Sequence, residues 1–498
     1  MKKAFIISIL LMFLRSVSAI AFTVDGIDYS KTSETTVKVV KSTEPYSGNI
    51  ILPSGVTYDN IKYSVTSIDK EAFSNCSGLN GITIPSSVTS IDDRAFIGCS
   101  GMKNIEVDAD NPNYASASGV LYNKQNTVLI AFPAGKSGIY TIPSSVTSIG
   151  NSAFFRCSGL TEITIPSSVT KIGSWAFYCC SGLKSITIPS SVTSIANGTF
   201  FGCRGLKSVT IPSSVTSIGI RAFFKCETLR NIMIPSSVMS IGDEAFSSCS
   251  GMRSINVDED NPNYTCMSGV LYNNDKTSLI ICPGRKTGHF VVPSSVISIS
   301  DMAFSCGALK KVTIPSSVES IGSMAFSNCD RLKRIEVDES NPNYSTLSGV
   351  LYNKQLTDLI TYPSGKAGYF IIPSTVTSIG NWAFSHCHKL KEIIIPSSLT
   401  FIGEWAFIHC SDLERIMIPS SVNSIGVGAF SNCINLTTIY SDSEIPIDLS
   451  LFVYYNIDKT NCKLFVPIGS RGLYEEAKEW KDFPNIIEFD GSQPDEML

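Results

Sequence analysis

Apolar residues recur along most of the chain in one fixed order, which repeats every 23 residues. In the copy that spans 142–165, Leu160, Ile163 and Ile165 spell the phrase L-x-x-I-x-I. The last two alternate with a threonine, and such alternation predicts a short β-strand with one buried face. Pro166 is expected to end this strand, because proline has no N–H group to donate.

The remaining apolar residues of each copy are predicted to fill an interior, as Val146, Ile149 and Phe154 do in this one. Twelve near-copies of the phrase IPSSVTSIGxxAFxxCSGLKSIT run from about Ile84 to Thr438. A period of this length indicates stacked units that bury their apolar sides against their neighbours. The pattern therefore predicts a β-rich repeat solenoid that forms one elongated domain.

Three intervals between the recurring prolines are longer than the rest. They run from Pro85 to Pro143, from Pro235 to Pro293 and from Pro315 to Pro373, and each is 58 residues, one 23-residue rung plus one of 35. Each contains an Asn-Pro-Asn-Tyr turn followed by Gly-Val-Leu-Tyr-Asn and a second apolar pair, which together predict a hairpin.

The segment Asp108-Ala-Asp110 before the first of these turns is similar to the start of a calcium loop. It lacks the mid-loop glycine and the closing glutamate of such a loop. Turn formation is therefore the favoured interpretation.

The phrase IPSSVTSIGxxAFxxCSGL resembles the BspA-like leucine-rich repeat family of bacterial and protist surface proteins, over about residues 45–440. The closing segment from Cys462 to Pro467, followed by Tyr474 and Trp480, is similar to the terminal cap of such proteins, and the opening segment 22–47 to a first cap. The resemblance implies a solenoid of the leucine-rich-repeat type with 23-residue rungs, three 35-residue hairpin-bearing rungs and a cap at each end.

The first residues predict export. Lys2 and Lys3 precede an apolar run at 4–14, and the small residues Ala19 and Ala21 suit a signal peptidase. The run is too short to span a bilayer, although a retained anchor stays open. No cysteine stands at the cleavage point to accept lipid, and the chain ends without a wall-sorting motif. We expect a cell-surface or extracellular location without membrane insertion after cleavage, with a periplasmic location as the alternative.

The predicted organisation follows from these features. It is a signal peptide at 1–21, an N-terminal β cap at 22–47, the leucine-rich repeat solenoid at 48–440, a C-terminal cap at 441–490 and a polar tail at 491–498.

Composition and charge narrow the function. The net charge of −4 with 16% charged residues gives no general attraction to nucleic acid or anionic lipid. No nucleophile-base or paired-carboxylate arrangement is visible, so we expect neither an enzyme nor a cofactor. His386, His388 and His409 lie around Cys387 and Cys410, and the first and third should stack on adjacent rungs. A zinc site is the alternative there, and solvated histidines are favoured.

The chain contains sixteen cysteines, and twelve of them recur at one place in the repeat. In-register stacking would place their Cβ atoms about 4.8 Å apart, whereas a disulfide needs about 3.8 Å. A ladder of buried thiols is therefore predicted at Cys76, Cys99, Cys157, Cys180, Cys203, Cys226, Cys249, Cys306, Cys329, Cys387, Cys410 and Cys433. Only Cys179, Cys266, Cys282 and Cys462 break the register as candidates for disulfides.

The position after the core phenylalanine predicts a solvent-facing column, because it is usually serine. The serines are Ser74, Ser247, Ser305, Ser327, Ser385 and Ser431. Four successive units replace the serine, and we call these residues the aromatic column: Phe155, Tyr178, Phe201 and Phe224. They predict either a stacked ladder that stiffens the rungs or a stripe that binds a partner.

A basic column follows the strand-leading Leu or Met. Its members are Lys103, Lys184, Lys207, Arg230, Arg253, Lys310, Lys333 and Lys391. The four on consecutive rungs, Lys184, Lys207, Arg230 and Arg253, form either a solvated rim or a binding site for an acidic glycan or an acidic protein loop. On the sheet itself, threonines in the middle of the chain give way to Met233, Ile394 and Met417.

Two classes of function remain. The first is a secreted or cell-surface protein that binds an extracellular protein or glycan in adhesion, which the family resemblance also implies. The second is an envelope scaffold that acts by self-association.

Overall fold

The computed structural model describes residues 21–490, which consist almost entirely of short β-strands and turns. The predicted signal peptide, apart from Ala21, and the polar tail at 491–498 lie outside the described residues. The described chain divides into two compact units, one holding 21–229 and 237–245 and the other 230–236 and 246–490. Each unit is a β-solenoid, as the repeat predicts. The predicted domain boundaries stay predictions.

Each rung combines two strands with a tight turn between them. In the rung of the L-x-x-I-x-I example, Ser148–Ile149 precedes the turn and Leu160–Thr164 follows it. Val146, Phe154 and Leu160 are each at most 1% exposed, so the apolar phrase fills the interior as expected. Strands of successive rungs pair in parallel, and this pairing turns the repeat into ladders.

The turn forms a ladder of its own, which the sequence does not suggest. Ser152 and Arg156 adopt left-handed backbone with φ of 55° and 56°. The N–H groups of Ser152, Phe154 and Arg156 donate to carbonyl oxygens of the next rung at 2.7–3.0 Å. Alternate turn residues are thus hydrogen-bonded between rungs, which satisfies buried backbone groups that a loop would leave open.

The strands of the first unit form several sheets. The N-terminal sheet contains Ala21–Val24, Ile27–Lys31, Thr36–Val39, Gly55–Tyr58, Ile61–Ile68 and Ser90–Ile91. A three-stranded parallel ladder, which we call the neutral ladder, contains Gly48–Ile51, Leu79–Ile84 and Asn104–Val107. The first hairpin sheet contains Tyr114–Ala117, Val120–Asn123, Val128–Ala131, Ser148–Ile149 and Lys171–Ile172. Three further sheets pair Gly138–Thr141 with Leu160–Thr164, Ser185–Thr187 with Ser208–Thr210, and Ser194–Ile195 with Ser217–Ile218 and Ser240–Ile241.

The second unit is built in the same way. Its first pair is Asn231–Ile234 with Ser254–Val257. The basic ladder contains Thr287–Val291, Ala308–Ile314 and Arg334–Val337. The second hairpin sheet contains Tyr264–Met267, Val270–Asn273, Ser278–Ile281, Ser298–Ile299 and Ser320–Ile321. The third hairpin sheet contains Tyr344–Leu347, Val350–Asn353, Asp358–Thr361, Ser378–Ile379, Phe401–Ile402 and Ser424–Ile425. The C-terminal ladder contains Gly368–Ile371, Leu390–Ile394, Arg415–Ile418, Thr438–Ser441, Lys463–Pro467 and Asn485–Phe489.

The three long rungs contain the predicted hairpins. In the first, Val120–Asn123 pairs antiparallel with Val128–Ala131, and Tyr114–Ala117 adds a further antiparallel strand that was not predicted. The preceding turn is held by Asn111, which is fully buried and donates from Nδ2 to Pro85 O at 2.8 Å. The turn interpretation of this segment is therefore confirmed.

The thiol ladder is present. All sixteen cysteines are free, and eleven of the twelve predicted ladder members are buried. Cys99, Cys180 and Cys203 each donate from Sγ to the carbonyl oxygen of a core phenylalanine in a neighbouring rung, at 2.8, 3.0 and 3.0 Å. Burial raises the pKa of the Cys99 thiol to about 12, so these cysteines act as small apolar residues.

Cys306 departs from the ladder. It stands two residues after the core Phe304, whereas the other ladder cysteines stand three residues after their core phenylalanine. Its backbone has a left-handed φ of 57°. The side chain is half-buried and accepts a hydrogen bond from Asn328 Nδ2 at 3.0 Å. Its assignment to the buried ladder was wrong, because this rung is one residue short and the cysteine lands on the turn.

Aromatic side chains close the C-terminal end of the described chain. A short helix, Arg471–Glu476, precedes the 3₁₀ turn Trp480–Asp482. Trp480 is fully buried, and its indole Nε1 donates to Ile447 O at 2.9 Å. Tyr474, also buried, donates to Ser443 O at 2.8 Å. These groups cover the interior of the last rungs, where a solenoid would otherwise expose apolar side chains.

Candidate functional site

The aromatic column is a continuous stack of rings. The ring centroids of Phe155 and Tyr178 lie 4.5 Å apart, and the next two steps, to Phe201 and then to Phe224, are 4.9 Å each. The interplanar angles are 10–20°, so most ring faces contact another ring. Phe224 is 8% exposed and the other three are half-buried.

Cations cover both ends of this stack. The Arg156 guanidinium lies 5.6 Å from the Phe155 centroid, and Lys225 Nζ lies 5.6 Å from the Phe224 centroid. Both end rings thus have a cation of the same chain over them, at a distance typical of a cation–π contact. This geometry favours the ladder that stiffens the rungs, and binding by the column stays a prediction.

The serines at the equivalent position do not face solvent. All six are 1–8% exposed. Ser327 and Ser385 lie on either side of the third long rung, and their Oγ atoms are 3.3 Å apart. The prediction of a solvent-facing column was therefore wrong.

The proposed cationic binding residues are exposed. Lys184, Lys207, Arg230 and Arg253 are all exposed. In the first unit Lys207 N donates to Lys184 O at 2.8 Å, and in the second unit Arg253 N donates to Arg230 O at 2.7 Å. The residues of each pair are therefore on adjacent rungs.

The C-terminal ladder presents an apolar row on its outer face. We call it the apolar row, and its members are Ile371, Ile394, Met417, Tyr440, Phe465 and Ile487. Register pairs Tyr440 with Phe465 and Phe465 with Ile487, and the first two rings stack at 4.6 Å. Ile371 is 57% exposed and Ile487 38%.

The middle of the first unit differs at the same strand position. Thr164, Thr187 and Thr210 are all exposed there. The change from threonine to apolar residues, suggested by the sequence for Ile394 and Met417, extends to Phe465 and Ile487, which lie in the segment predicted to be a cap.

The histidine cluster forms as predicted. The rings of His386 and His409 lie 4.8 Å apart, and His386 and His388 lie 5.6 Å apart. Among residues 21–490, no group of three or more His, Cys, Asp or Glu side chains is placed to hold a metal ion. Cys387 and Cys410 are fully buried in the thiol ladder, so the cysteines and histidines do not form one coordination site.

A cavity of about 510 Å³ opens beside the N-terminal sheet. Its lining includes the carboxylates of Asp25 and Glu44 and the phenols of Tyr29 and Tyr46. Tyr46 hydroxyl donates to Val40 O at 3.1 Å, and burial raises its pKa to about 12. The phenol is therefore neutral and structurally engaged, and the cavity shows no nucleophile activated by a base.

The repeat matches the family model described as the BspA type leucine rich repeat region, at residues 54–135, 131–253, 284–365 and 361–471. The chain belongs to the BspA-type leucine-rich repeat family. The match covers the first and third hairpin rungs and most of the C-terminal ladder, and it leaves out 254–283, which contain the second hairpin. Within the part of the chain that the structure describes, no helix has the length and hydropathy of a membrane span.

Solved structures of bacterial leucine-rich repeat proteins are similar to the chain. A leucine rich cell surface protein from Faecalibacterium prausnitzii is 32% identical, with 86% of this chain and 96% of that one covered and a TM-score of 0.45. A leucine-rich repeat protein from Bacteroides ovatus is 25% identical, with 94% and 100% covered and a TM-score of 0.34. The pneumococcal vaccine antigen PcpA is 18% identical, with 95% and 99% covered and a TM-score of 0.37. No curated protein matches the chain.

One group of cations escaped the sequence analysis. Lys311 and Arg334 pair in register on the outer face of the basic ladder, one residue after Lys310 and Lys333 of the basic column. Strict alternation would turn Lys311 inward, next to the buried Leu309. A β-bulge shifts the register between Gly288 and His289, so that Leu309 and Lys311 pair with these two residues and Lys310 is the extra residue. The spacing of three between the buried Leu309 and Val312 is the signal that could have revealed this bulge.

Proposed function

We propose that the protein is an exported leucine-rich repeat protein, at the cell surface or secreted, that binds an extracellular protein in adhesion. The apolar row of the C-terminal ladder carries this proposal. Aromatic and aliphatic side chains next to one another on an exposed sheet are typical of the centre of a protein interface.

The row is not required by the core of the ladder. The inward residues of the same strands, among them Ile393, Ile416, Ile439 and Leu464, are fully buried and supply the interior. The threonines of the first unit show that the same strand position accepts polar residues in this fold. A surface role explains the apolar choice, since function in a shared fold depends on outward residues.

The aromatic column and the cations Lys184, Lys207, Arg230 and Arg253 are further binding candidates. The column is less suited to capture a partner because its rings already contact each other and two end cations. The four cations are exposed and fit an acidic partner.

The test is a pull-down of extracellular-matrix proteins and mucin with the mature chain from Phe22 onward, compared with the variant Ile371→Asp/Ile487→Asp. Both residues are among the exposed members of the row, so the variant should fold. We expect saturable capture by the native chain and a loss of about tenfold or more in the variant, because two charges enter an apolar contact.

The matched control is Thr164→Asp/Thr187→Asp, which places two charges at the same strand position in the first unit. It should capture the partner as the native chain does. Equal capture by both variants would contradict the assignment of the row. No capture at all, together with self-assembly in solution, would favour the envelope scaffold instead.

A further inference from the structure

The basic ladder concentrates positive charge on one small part of the second unit. Lys310 and Lys333 are on adjacent rungs, with Lys333 N donating to Lys310 O at 3.0 Å. Beside them, register pairs His289 with Lys311 and Lys311 with Arg334. Four cations therefore lie in two neighbouring columns on rungs about 4.8 Å apart.

One carboxylate offsets only part of this charge. Glu336 Oε2 lies 2.6 Å from Lys311 Nζ, and its other oxygen lies 3.6 Å from an Arg334 nitrogen. With four cations and one carboxylate, the two columns and Glu336 together have a net charge of +3. Within the described chain, Lys311 and Arg334 form their salt bridges with Glu336, and Lys310 and Lys333 form none.

The chain keeps the Arg334 head group outward. A Cβ atom on Gly349, at the hairpin turn where φ is +78°, would lie 3.1 Å from Arg334 Cγ. The aliphatic stem thus rests on the hairpin backbone, while 63% of the side chain stays exposed. Guanidinium groups held in this way can form paired hydrogen bonds to sulfate or carboxylate.

The surroundings of these cations are polar. His289 Nε2 and Thr313 Oγ1 lie 2.9 Å apart, and both side chains reach the outer face. Val291 is the one apolar side chain with high exposure, 57%, on the outer face of this ladder. A protein interface would bring aromatic or aliphatic anchors to its centre, and the ladder offers hydrogen-bonding groups and cations instead.

We propose that the outer face of the basic ladder, through Lys310, Lys311, Lys333 and Arg334, binds a linear anionic polysaccharide. Such a chain carries sulfate or uronate groups at short intervals together with hydroxyls. Its anionic groups can contact the cations on successive rungs, and its hydroxyls can form hydrogen bonds with His289 and Thr313. Lys- and Arg-rich patches of this size are a recurring heparin-type surface. This binding is separate from protein capture by the apolar row.

The experiment is calorimetric titration of the full mature chain with a heparin-derived oligosaccharide and with hyaluronan oligosaccharide, at low and at about 0.15 M salt. We expect saturable binding that weakens with salt. Comparison of the affinities for the heparin-derived and the hyaluronan oligosaccharide identifies whether sulfate or uronate is preferred. Lys310→Gln/Lys333→Gln should weaken it by about tenfold, which is a loss of about 1.4 kcal/mol for the two contacts together.

The control with the same change of charge is Lys62→Gln/Lys70→Gln, which removes two exposed cations from the first unit. It should leave the affinity unchanged. Equal weakening by both double variants would overturn the proposal, because it would show attraction by overall charge. No saturable binding of either oligosaccharide at about 0.15 M salt would overturn it as well.

Two further probes separate the partner classes. Polyglutamate or duplex DNA binding as tightly as the oligosaccharides would overturn the assignment to a polysaccharide. Glu336→Gln should strengthen oligosaccharide binding about threefold, because it frees Lys311 and Arg334. Ile371→Asp/Ile487→Asp should leave oligosaccharide binding unchanged, so failure of the protein-binding proposal is distinguishable from failure of this one.

Discussion

The neutral and basic ladders share one backbone plan and differ in their outer residues. In the neutral ladder, register places Asn49, Gly81 and Asn104 on adjacent strands. In the basic ladder, His289, Lys311 and Arg334 occupy the equivalent places. Both ladders contain three parallel strands and lead into a hairpin rung.

The next column repeats the contrast. Asn80 and Lys103 are neighbours in the neutral ladder, whereas Lys310 and Lys333 are neighbours in the basic one. The acidic residue is retained, as Glu106 in the first case and Glu336 in the second. The scaffold therefore tolerates a change from zero to +3 in surface charge without a change of register.

The largest expected effect tests whether the two ladders have cores of equal importance for stability. Phe73 stacks on Phe96 at 5.6 Å beside the neutral ladder, and Phe304 stacks on Phe326 at 5.0 Å beside the basic one. Phe73→Ala and Phe326→Ala should each lower the free energy of unfolding by about 3–5 kcal/mol, because each leaves a cavity. Urea unfolding measures both values, and a negligible loss in one variant would break the comparison.

The second effect is a pH dependence of stability that comes from the buried thiols. Burial raises the pKa of Cys99 to about 12 from an ordinary value of 9.0. The contribution of this thiol to stability is fully present below about pH 9 and is lost as the pH rises toward 12, because only the unfolded chain ionises at the lower pH. The total loss is about 4 kcal/mol at most, at about 1.4 kcal/mol per pKa unit.

Melting temperatures measured from pH 8 to pH 11 would show this loss. The variant Cys99→Ala should start from a lower stability and fall less steeply with pH. Parallel curves for the native chain and the variant would contradict the assignment to Cys99.

The third effect tests whether the aromatic column stabilises the fold, in contrast to the exposed residues of the ladders. Tyr178→Ser should lower the free energy of unfolding by about 1–3 kcal/mol, because it removes ring contacts with Phe155, Trp175 and Phe201 and part of a buried surface. Lys184→Gln, six residues away and exposed, should change it by about 0.5 kcal/mol or less. A folded, fully stable Tyr178→Ser variant that captures less partner would restore the binding interpretation of the column.

The smallest effect is a transfer of charge from one ladder to the other. Asn80→Lys/Asn104→Arg adds two cations to the neutral ladder at positions that are exposed and half-buried. We expect a second, weaker binding site for heparin-derived oligosaccharide, with a gain of about fivefold over the background of a Lys310→Gln/Lys333→Gln protein. Titration of the combined variant would measure it, and no gain would mean that the charges need more than the shared scaffold.

Much of the fold could be predicted because the same apolar and polar positions recur in every copy of the repeat. The alternation at Ile163 and Ile165 predicted a strand that the structure confirms as Leu160–Thr164. The stacking of His386 on His409 followed from their equal places in successive rungs. Buried thiols followed from spacing alone, since a parallel ladder holds equivalent Cβ atoms too far apart for a disulfide.

The candidate sites could be predicted less well, because exposure depends on how a turn is folded. Ser74 and Phe155 occupy equivalent places that the sequence predicts to face solvent, yet Ser74 is buried and Phe155 is half-buried. The left-handed residues on either side of the turn position are responsible, since they tighten the turn and bring successive rungs into contact. No single residue type announces that conformation: Ser152, Trp175 and Arg221 all adopt it.

The sequence by itself determined the solenoid, its parallel strands, its hairpin rungs and its interior, because a period of 23 residues leaves one way to bury the same apolar positions in every unit. Only the tertiary structure decided which outward residues act together. A β-bulge between Gly288 and His289 shifts the register of Thr287–Val291 against Ala308–Ile314. Because a bulge inserts one unpaired residue, Lys310 and Lys311 both reach the outer surface, where strict alternation would have placed them on opposite faces.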